Sequence, residues 1–352
     1  MSLSRSLRSL ATTLAALALA ALGLAAAPAP AAALGAGDGF VVTLWGDPTE
    51  ADLAESVRLA AGMGARHVSY LVFLHQDSPT ASEVRFQSAP AVDTPFDQMP
   101  AHGKLTRSIA DAHARGMSTG LIPFPFETGL SKRHFWNPAN RAQWFRTYGD
   151  RLADLARFAE QTGCDEVIAG SELSLLFQYS SGWRQVIARI RGEFTGHVTV
   201  CSTFPDYPLI RFWDACDSVG ISGYFPLAAR ESTASATSFE WAWRAHRAHL
   251  LAFCALWRRP LTFVEVGYPA MSIAAARPWD YDWSRAADPR KQMLCFEAFR
   301  RVWSRETKLR RFQIWGLSDY ATDLRDTGGK GFSPIGKQAE PVVRRLFPER
   351  AR

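Results

Sequence analysis

Two glutamates carry the chemistry open to this chain. Glu172 sits in VIAGSELS and Glu265 in LTFVEVGYP, each at the end of a short β-rich apolar run and just before small or turn-forming residues. Both read as carboxylates leaving the C-terminal ends of strands that their flanks would bury. Paired carboxyl groups about 5 Å apart are what a retaining glycosidase needs: one gives a proton to the leaving oxygen and the other attacks the sugar carbon. The two lie far apart in the chain, so only a fold that returns strand ends to one rim brings them together.

Aromatic residues point the same way. The chain has 12 Trp, and Trp45, Trp279, Trp283 and Trp315 fall near the predicted rim. There the flat apolar faces of pyranose rings stack on such side chains. Trp144, Trp243 and Trp257 lie on helical stripes and read as core. Trp315, directly after a strand and before Gly316, reads as a sugar platform, with core packing as the alternative. Tyr224 ends VGISGY beside the strand of Glu265. A phenol there can donate a hydrogen bond that keeps Glu265 ionised, and a Tyr packed under the following loop fits the pattern equally well. His75, Gln76, Glu127, Asp206, Asp319 and Asp323 also follow strand ends. Each can hold a substrate hydroxyl, though loop polarity alone accounts for such residues. No Ser/His/Asp triad spacing, nucleophile elbow, P-loop or zinc motif competes.

The elements that must position the pair follow from period and punctuation. Short apolar runs at 40–44, 67–74, 118–124, 166–170, 198–202, 218–222, 261–266 and 311–315 alternate with helical patterns. Thr49 can cap a helix burying Leu53, Val57 and Ala61. Trp144, Tyr148, Leu152 and Leu155 form one stripe, and Phe239, Trp243, Leu250 and Trp257 another. Runs that are apolar throughout imply strands buried on both faces, hence a parallel sheet under helices. Eight such units predict an α/β fold, a single (β/α)8 TIM barrel. The links after the strands, at 75–102, 224–237, 268–288 and 316–335, are the long ones, and on a barrel that face holds the active site. An open doubly wound sheet would call for a Gly-rich phosphate turn after an early strand, and none is present.

Bulk properties bound the rest. Arg5 and Arg8 precede an Ala/Leu run at 10–24, and Ala31-Ala32-Ala33 follows as a small-residue cleavage site. Residues 1–33 therefore read as a secretory signal peptide, with a membrane anchor as the less fitting alternative because the run is short of the roughly 20 residues needed to span. The remainder, 34–352, is expected to be one exported catalytic domain, secreted or periplasmic, with no membrane span after cleavage. Lys+Arg number 40 against 34 Asp+Glu, a formal net charge of +6. The Arg residues are scattered rather than gathered on one face, so no nucleic-acid partner is expected. Cys164, Cys201, Cys216, Cys254 and Cys295 are odd in number and lack CxxC spacing. They read as small buried thiols, although export would permit disulfides.

The chain resembles glycoside hydrolase family one hundred and thirteen, the β-mannanase-like group among the retaining (β/α)8 hydrolases. GSELS, DSVGISGYFPL, FVEVGYPA and IWGLSDYATDLRDTGGKGFSPIGK carry the likeness, with LVFLHQDSPTASEV and WFRTYGDRLADLARFAEQTGCDEV in support. The resemblance implies Glu172 as acid/base, Glu265 as nucleophile, Tyr224 orienting Glu265, and Trp315 as the floor under the attacked sugar. It further implies β-1,4-mannans or related glycans as substrate, with no metal or other cofactor. Relatives in the wider clan have Asn where Ser171 stands, binding the sugar 2-hydroxyl. Strand five ends in STFPD, with no Asn or His beside Phe204, and the Arg often seen on strand two of that clan is missing from HVSYLVFLH. A barrel that binds glycan without turning it over is the alternative of another class. A transglycosylase or a glycanase trimming the cell's own exopolysaccharide would share every residue named.

Overall fold

A computed structural model describes residues 37–43, 48–86, 100–127, 132–231 and 235–350. The expected signal peptide at 1–33, Trp45 and the last residue of the first predicted strand lie outside the described residues.

The eight predicted strands form as β1 (Gly39–Val42), β2 (His67–Gln76), β4 (Ser118–Glu127), β5 (Glu166–Ser171), β6 (His197–Thr203), β7 (Val219–Ser222), β8 (Leu261–Val266) and β9 (Leu309–Trp315). Each pairs in parallel with its neighbours in the order β1-β9-β8-β7-β6-β5-β4-β2, and β1 pairs with β2 to close the ring. The expected (β/α)8 barrel is the fold. A two-residue strand, β3 (Arg85–Phe86), lies antiparallel on the end of β2 and was not among the predicted elements. It is too short to show any period.

Local signals explain the helices that clamp the ring. Thr49 caps Glu50–Met63 by a reciprocal box: its Oγ1 accepts from the Asp52 amide at 3.2 Å, and its own amide donates to Asp52 Oδ2 at 2.8 Å. That helix buries Leu53, Val57 and Ala60, one position before the Ala61 expected from the period. Arg141–Thr162 buries the whole stripe of Trp144, Tyr148, Leu152 and Leu155, and ends at Gly163 in the left-handed conformation. Ala236–Trp257 buries Phe239, Trp243 and Leu250, while Trp257 is half-buried against the same core. Each large side chain so buried contributes about 1.5–3 kcal/mol. Among the described residues no helix is long and apolar enough to cross a membrane.

The core has two parts. One lies between strands and helices. The other takes residues from nearly every strand, among them Val41, Ile122, Ile168, Cys201 and Val264, and is topped by Tyr224, Trp315 and Phe332. This second cluster is the packed interior of the ring, and its top is the floor of the site. Near the strand starts, Glu166 is fully buried, with Arg310 at 2.7 Å, His197 at 3.0 Å, Gln313 at 3.0 Å and Arg311 at 3.5 Å. All five cysteines are buried free thiols.

Candidate active site

Strand irregularities set both glutamates. The β5–β6 register shifts between Ile168 and Ser171, immediately before Glu172. The β7–β8 register shifts between Ile221 and Ser222, so that Ser222 stands opposite Glu265. Such bulges re-aim side chains at barrel rims. Glu172 also has φ 54°, left-handed backbone that a residue with a Cβ adopts at a cost. Its amide donates to the Cys201 carbonyl at 2.7 Å, which holds it there.

Both carboxyl groups line one cavity of about 1070 Å3 at the C-terminal ends of the strands. Trp315, Tyr224, Phe124 and Ser222 share its lining with Arg133, Phe204, Trp279 and Tyr281. That volume exceeds one sugar ring and suits a short run of them. A second cavity of about 420 Å3, lined by Asp38, Arg66, Arg310 and Arg344, lies by the strand starts and has no carboxylate pair.

Glu172 accepts two hydrogen bonds, one on each oxygen. Ser222 Oγ donates to Oε1 at 2.8 Å and Arg133 Nη2 to Oε2 at 2.8 Å. Arg133 is fixed in turn: its Nε donates to the Ser171 carbonyl at 3.1 Å, and its guanidinium lies over the Phe124 ring at 4.0 Å. Glu265 is 2 % exposed. The Tyr224 hydroxyl donates to its Oε2 at 3.1 Å, while buried Oε1 has no hydrogen-bond partner among the described residues. Burial first, then the facing charge of Glu172, push the Glu265 carboxyl up to about 8, against the opposite pull of Arg133 and of Tyr224. Burial likewise pushes the Tyr224 hydroxyl well above its usual range, so it remains a donor.

Packing around Glu265 leaves no slack. A Cβ on Gly267 would lie 3.0 Å from Phe332 and 3.3 Å from Trp315 Cβ. Gly316, with φ 81°, turns the chain away right after Trp315. Trp315 is 3 % exposed and stacks on Phe124 with ring centroids 6.2 Å apart.

The candidates named from sequence divide. Glu172, Glu265, Tyr224 and Trp315 come together on the cavity. Asp206 and Trp279 line its outer part, Trp279 with its ring 5.3 Å from that of Phe204. Ser171 is fully buried, and what it presents to the site is its carbonyl, bound to Arg133. Gln76 does not line the cavity. β2 runs two residues longer than expected, and Gln76 accepts from Trp144 Nε1 at 2.8 Å and donates to the Ser78 carbonyl. Trp283 packs on Phe332 and Tyr281 behind the lining. Asp319 caps the helix Tyr320–Thr327, and Asp323 is buried against Lys337 at 2.6 Å. Arg133, Ser222 and Tyr281 were not singled out from sequence. Ser222 is one more small residue at a strand end, and Arg133 lies in a loop whose fold over the cleft leaves no period. The only sign was its place in the long-loop face of the barrel.

Fold and site together define a glycoside hydrolase. A family model described as Glycoside Hydrolase Family 113 matches residues 42–337, and the chain belongs to that family. Among solved structures it is similar to a GH113 beta-1,4-mannanase described as a complex, at 22 % identity and TM-score 0.76, over 89 % of this chain and 99 % of that one. It is also similar to the GH113 beta-mannanase from Alicyclobacillus acidocaldarius in complex with ManMIm, at 24 % identity and TM-score 0.76, over 91 % and 99 %. A GH5_18 protein from Streptomyces cattleya in complex with GlcNAc is more distant, at 13 % identity and TM-score 0.54, over 86 % and 76 %. No curated protein matches the chain.

Proposed function

We propose that the chain is a secreted retaining β-glycosidase that hydrolyses a β-linked polysaccharide by double displacement, with β-1,4-mannan as the first substrate to try. The observation that carries this reading is the difference between two carboxyl groups on one cavity. Glu265 keeps Oε1 buried and, among the described residues, unpartnered, while Glu172 is more open, with 20 % of its side chain exposed. An unpartnered carboxylate oxygen beside a Trp floor is a nucleophile waiting for an anomeric carbon. A rim carboxylate with partial access is the one that can meet both the leaving oxygen and water.

In the first step Glu172 gives its proton to the glycosidic oxygen as the C1–O bond breaks and Glu265 Oε1 bonds C1. In the second, Glu172 takes a proton from water, whose oxygen bonds C1 while the ester electrons return to Glu265. Tyr224 holds Glu265 in line throughout. The mannan proposal draws on the two family relatives whose names state β-mannanase activity. Secretion draws on the leader at 1–33.

The test is a reducing-sugar screen on mannan, glucan, xylan and bacterial exopolysaccharides with the wild type and Glu265→Ala. The reading requires release of product by the wild type and a loss of about 10⁴-fold or more in the variant. Full turnover by Glu265→Ala on the best substrate would end it. Binding by the wild type without any product over a long incubation would leave a carbohydrate-binding barrel instead.

A further inference from the structure

We propose that Trp279 and Phe204 form a platform for the sugars on the leaving side of the cleaved bond. The leaving group is then a chain of β-linked pyranoses rather than a small aglycone. This rests on the glycosidase reading and deepens it by giving the chain a place beyond the reacting pair.

The order of strands around the ring sets the side. Glu172 follows β5, Phe204 follows β6, Glu265 lies on β8 and Trp315 ends β9. A sugar held over Trp315 with its C1 at Glu265 presents the leaving oxygen to Glu172. What hangs from that oxygen runs away from β9, toward β5 and β6. Phe204 and Trp279 line the cavity there, with ring centroids 5.3 Å apart and planes 31° from parallel. Two near-parallel rings side by side make a continuous apolar surface, which suits successive pyranose faces. Asp206 and Arg277 line the same stretch and supply polar groups for hydroxyls at the ring edges.

The platform is held in place before any ligand arrives. Trp279 is 41 % exposed, yet its loop is closed and braced. Met271 and Ala287 form an antiparallel bridge at the base of the loop, and the Ser272 amide donates to the Ala286 carbonyl at 2.9 Å. The Leu227 amide, from the segment after β7, donates to the Ala275 carbonyl at 2.7 Å. On either side of Trp279, the Arg277 amide donates to the Ile273 carbonyl at 2.8 Å and Arg285 Nε donates to Asp280 Oδ2 at 3.0 Å. Phe204 is half-buried and packs on Phe225 with centroids 5.4 Å apart. A large apolar ring kept in water on a rigid loop at a cleft has a ligand to meet, and little ordering cost remains when it does.

The test compares two substrates of one sugar. The first is whichever of β-1,4-mannan, β-1,4-glucan and β-1,4-xylan the wild type cleaves best; the second is the β-biosyl fluoride of that sugar. Both sugars of the fluoride lie on the attacked side and fluoride leaves as a bare ion, so nothing reaches the platform. Trp279→Ala is expected to lower kcat/KM on the polysaccharide about tenfold or more relative to that on the fluoride, with Trp279→Phe between it and wild type. An equal loss on both substrates, or no loss on either, would overturn the proposal. If Trp279→Ala does not fold, as judged by circular dichroism, the Trp279→Phe ratio decides alone. A wild type that cleaves nothing defeats the glycosidase reading without deciding the platform, which calorimetry with the β-1,4-linked hexaoses of mannose, glucose and xylose then tests. A Kd about tenfold weaker in Trp279→Ala supports it. A Kd unchanged by the substitution, or no binding of any hexaose by the wild type, overturns it.

Discussion

Ser222 and Glu265 stand opposite each other on neighbouring strands, and the Ser222 hydroxyl reaches across to Glu172 at 2.8 Å. The residue that pairs with Glu265 in the sheet thus holds Glu172 by its side chain. Replacing it by Ala leaves Oε1 of Glu172 without its donor. A net hydrogen bond to a charged group is worth about 1.5–3 kcal/mol, so kcat should fall roughly tenfold to a hundredfold. The same hydroxyl lies 3.2 Å from the Ser202 carbonyl, so stability should also fall by about 1 kcal/mol, a smaller effect than that on kcat. Steady-state kinetics beside a melting curve checks this.

Tyr224→Phe removes the hydroxyl from Glu265 Oε2. That hydrogen bond pulls the Glu265 carboxyl down against burial, so its loss lets the carboxyl rise further. The nucleophile then stays protonated to higher pH. The acidic limb of kcat/KM should move to the alkaline side, and activity at neutral pH should drop by about tenfold or more. A pH–rate profile that only scales down, without moving, would contradict this role.

Glu265 also costs stability, with a definite sign. Its folded carboxyl is raised to about 8 from 4.5, so between those values the folded state binds more protons than the unfolded chain. Stability therefore falls as pH rises through this window. Glu265→Gln removes the effect. Its melting temperature should exceed wild type above pH 8 by a margin on the order of 5 °C, and match it near pH 5. Differential scanning calorimetry at both pH values measures the gap.

The buried ionic cluster at the strand starts behaves in the opposite way. Burial alone would raise Glu166, but the charges of Arg311 and Arg310 and a bond from His197 outweigh it and hold its carboxyl well below the usual range. Its contribution is present above the ordinary carboxylate range and is lost as pH falls below it. Glu166→Ala strands Arg311, which is 1 % exposed. A loss of about 3–5 kcal/mol in urea unfolding is expected, with no direct effect on the site at the far end of the barrel.

Much of this was legible in the chain. Apolar runs gave all eight barrel strands because burial on both faces leaves no polar alternation to confuse the period. The glutamates were legible because an acid at the end of such a run has few structural reasons to be there. Strand ends were less so. The expected second strand stopped at Leu74, but the chain stays extended to Gln76, and that turned a presumed rim residue into a packing partner of Trp144. Arg133 was invisible for a different reason. Its meaning comes from a short turn at Arg133–Phe135 folding back over Phe124 and Ser171, a contact that no spacing encodes. Likewise, Asp319 and Asp323 looked like rim acids, whereas one caps a helix and the other neutralises Lys337.

The central claim is that Glu265 is the nucleophile of a retaining reaction. The most direct measurement is covalent trapping: incubate the protein with a 2-deoxy-2-fluoro-β-glycosyl fluoride matching its best substrate, then map the labelled peptide by mass spectrometry. The account predicts one fluoroglycosyl group per chain, on the peptide carrying FVEVGYP, attached to Glu265. A label on any other residue, or none on a protein that hydrolyses the parent glycoside, would contradict it.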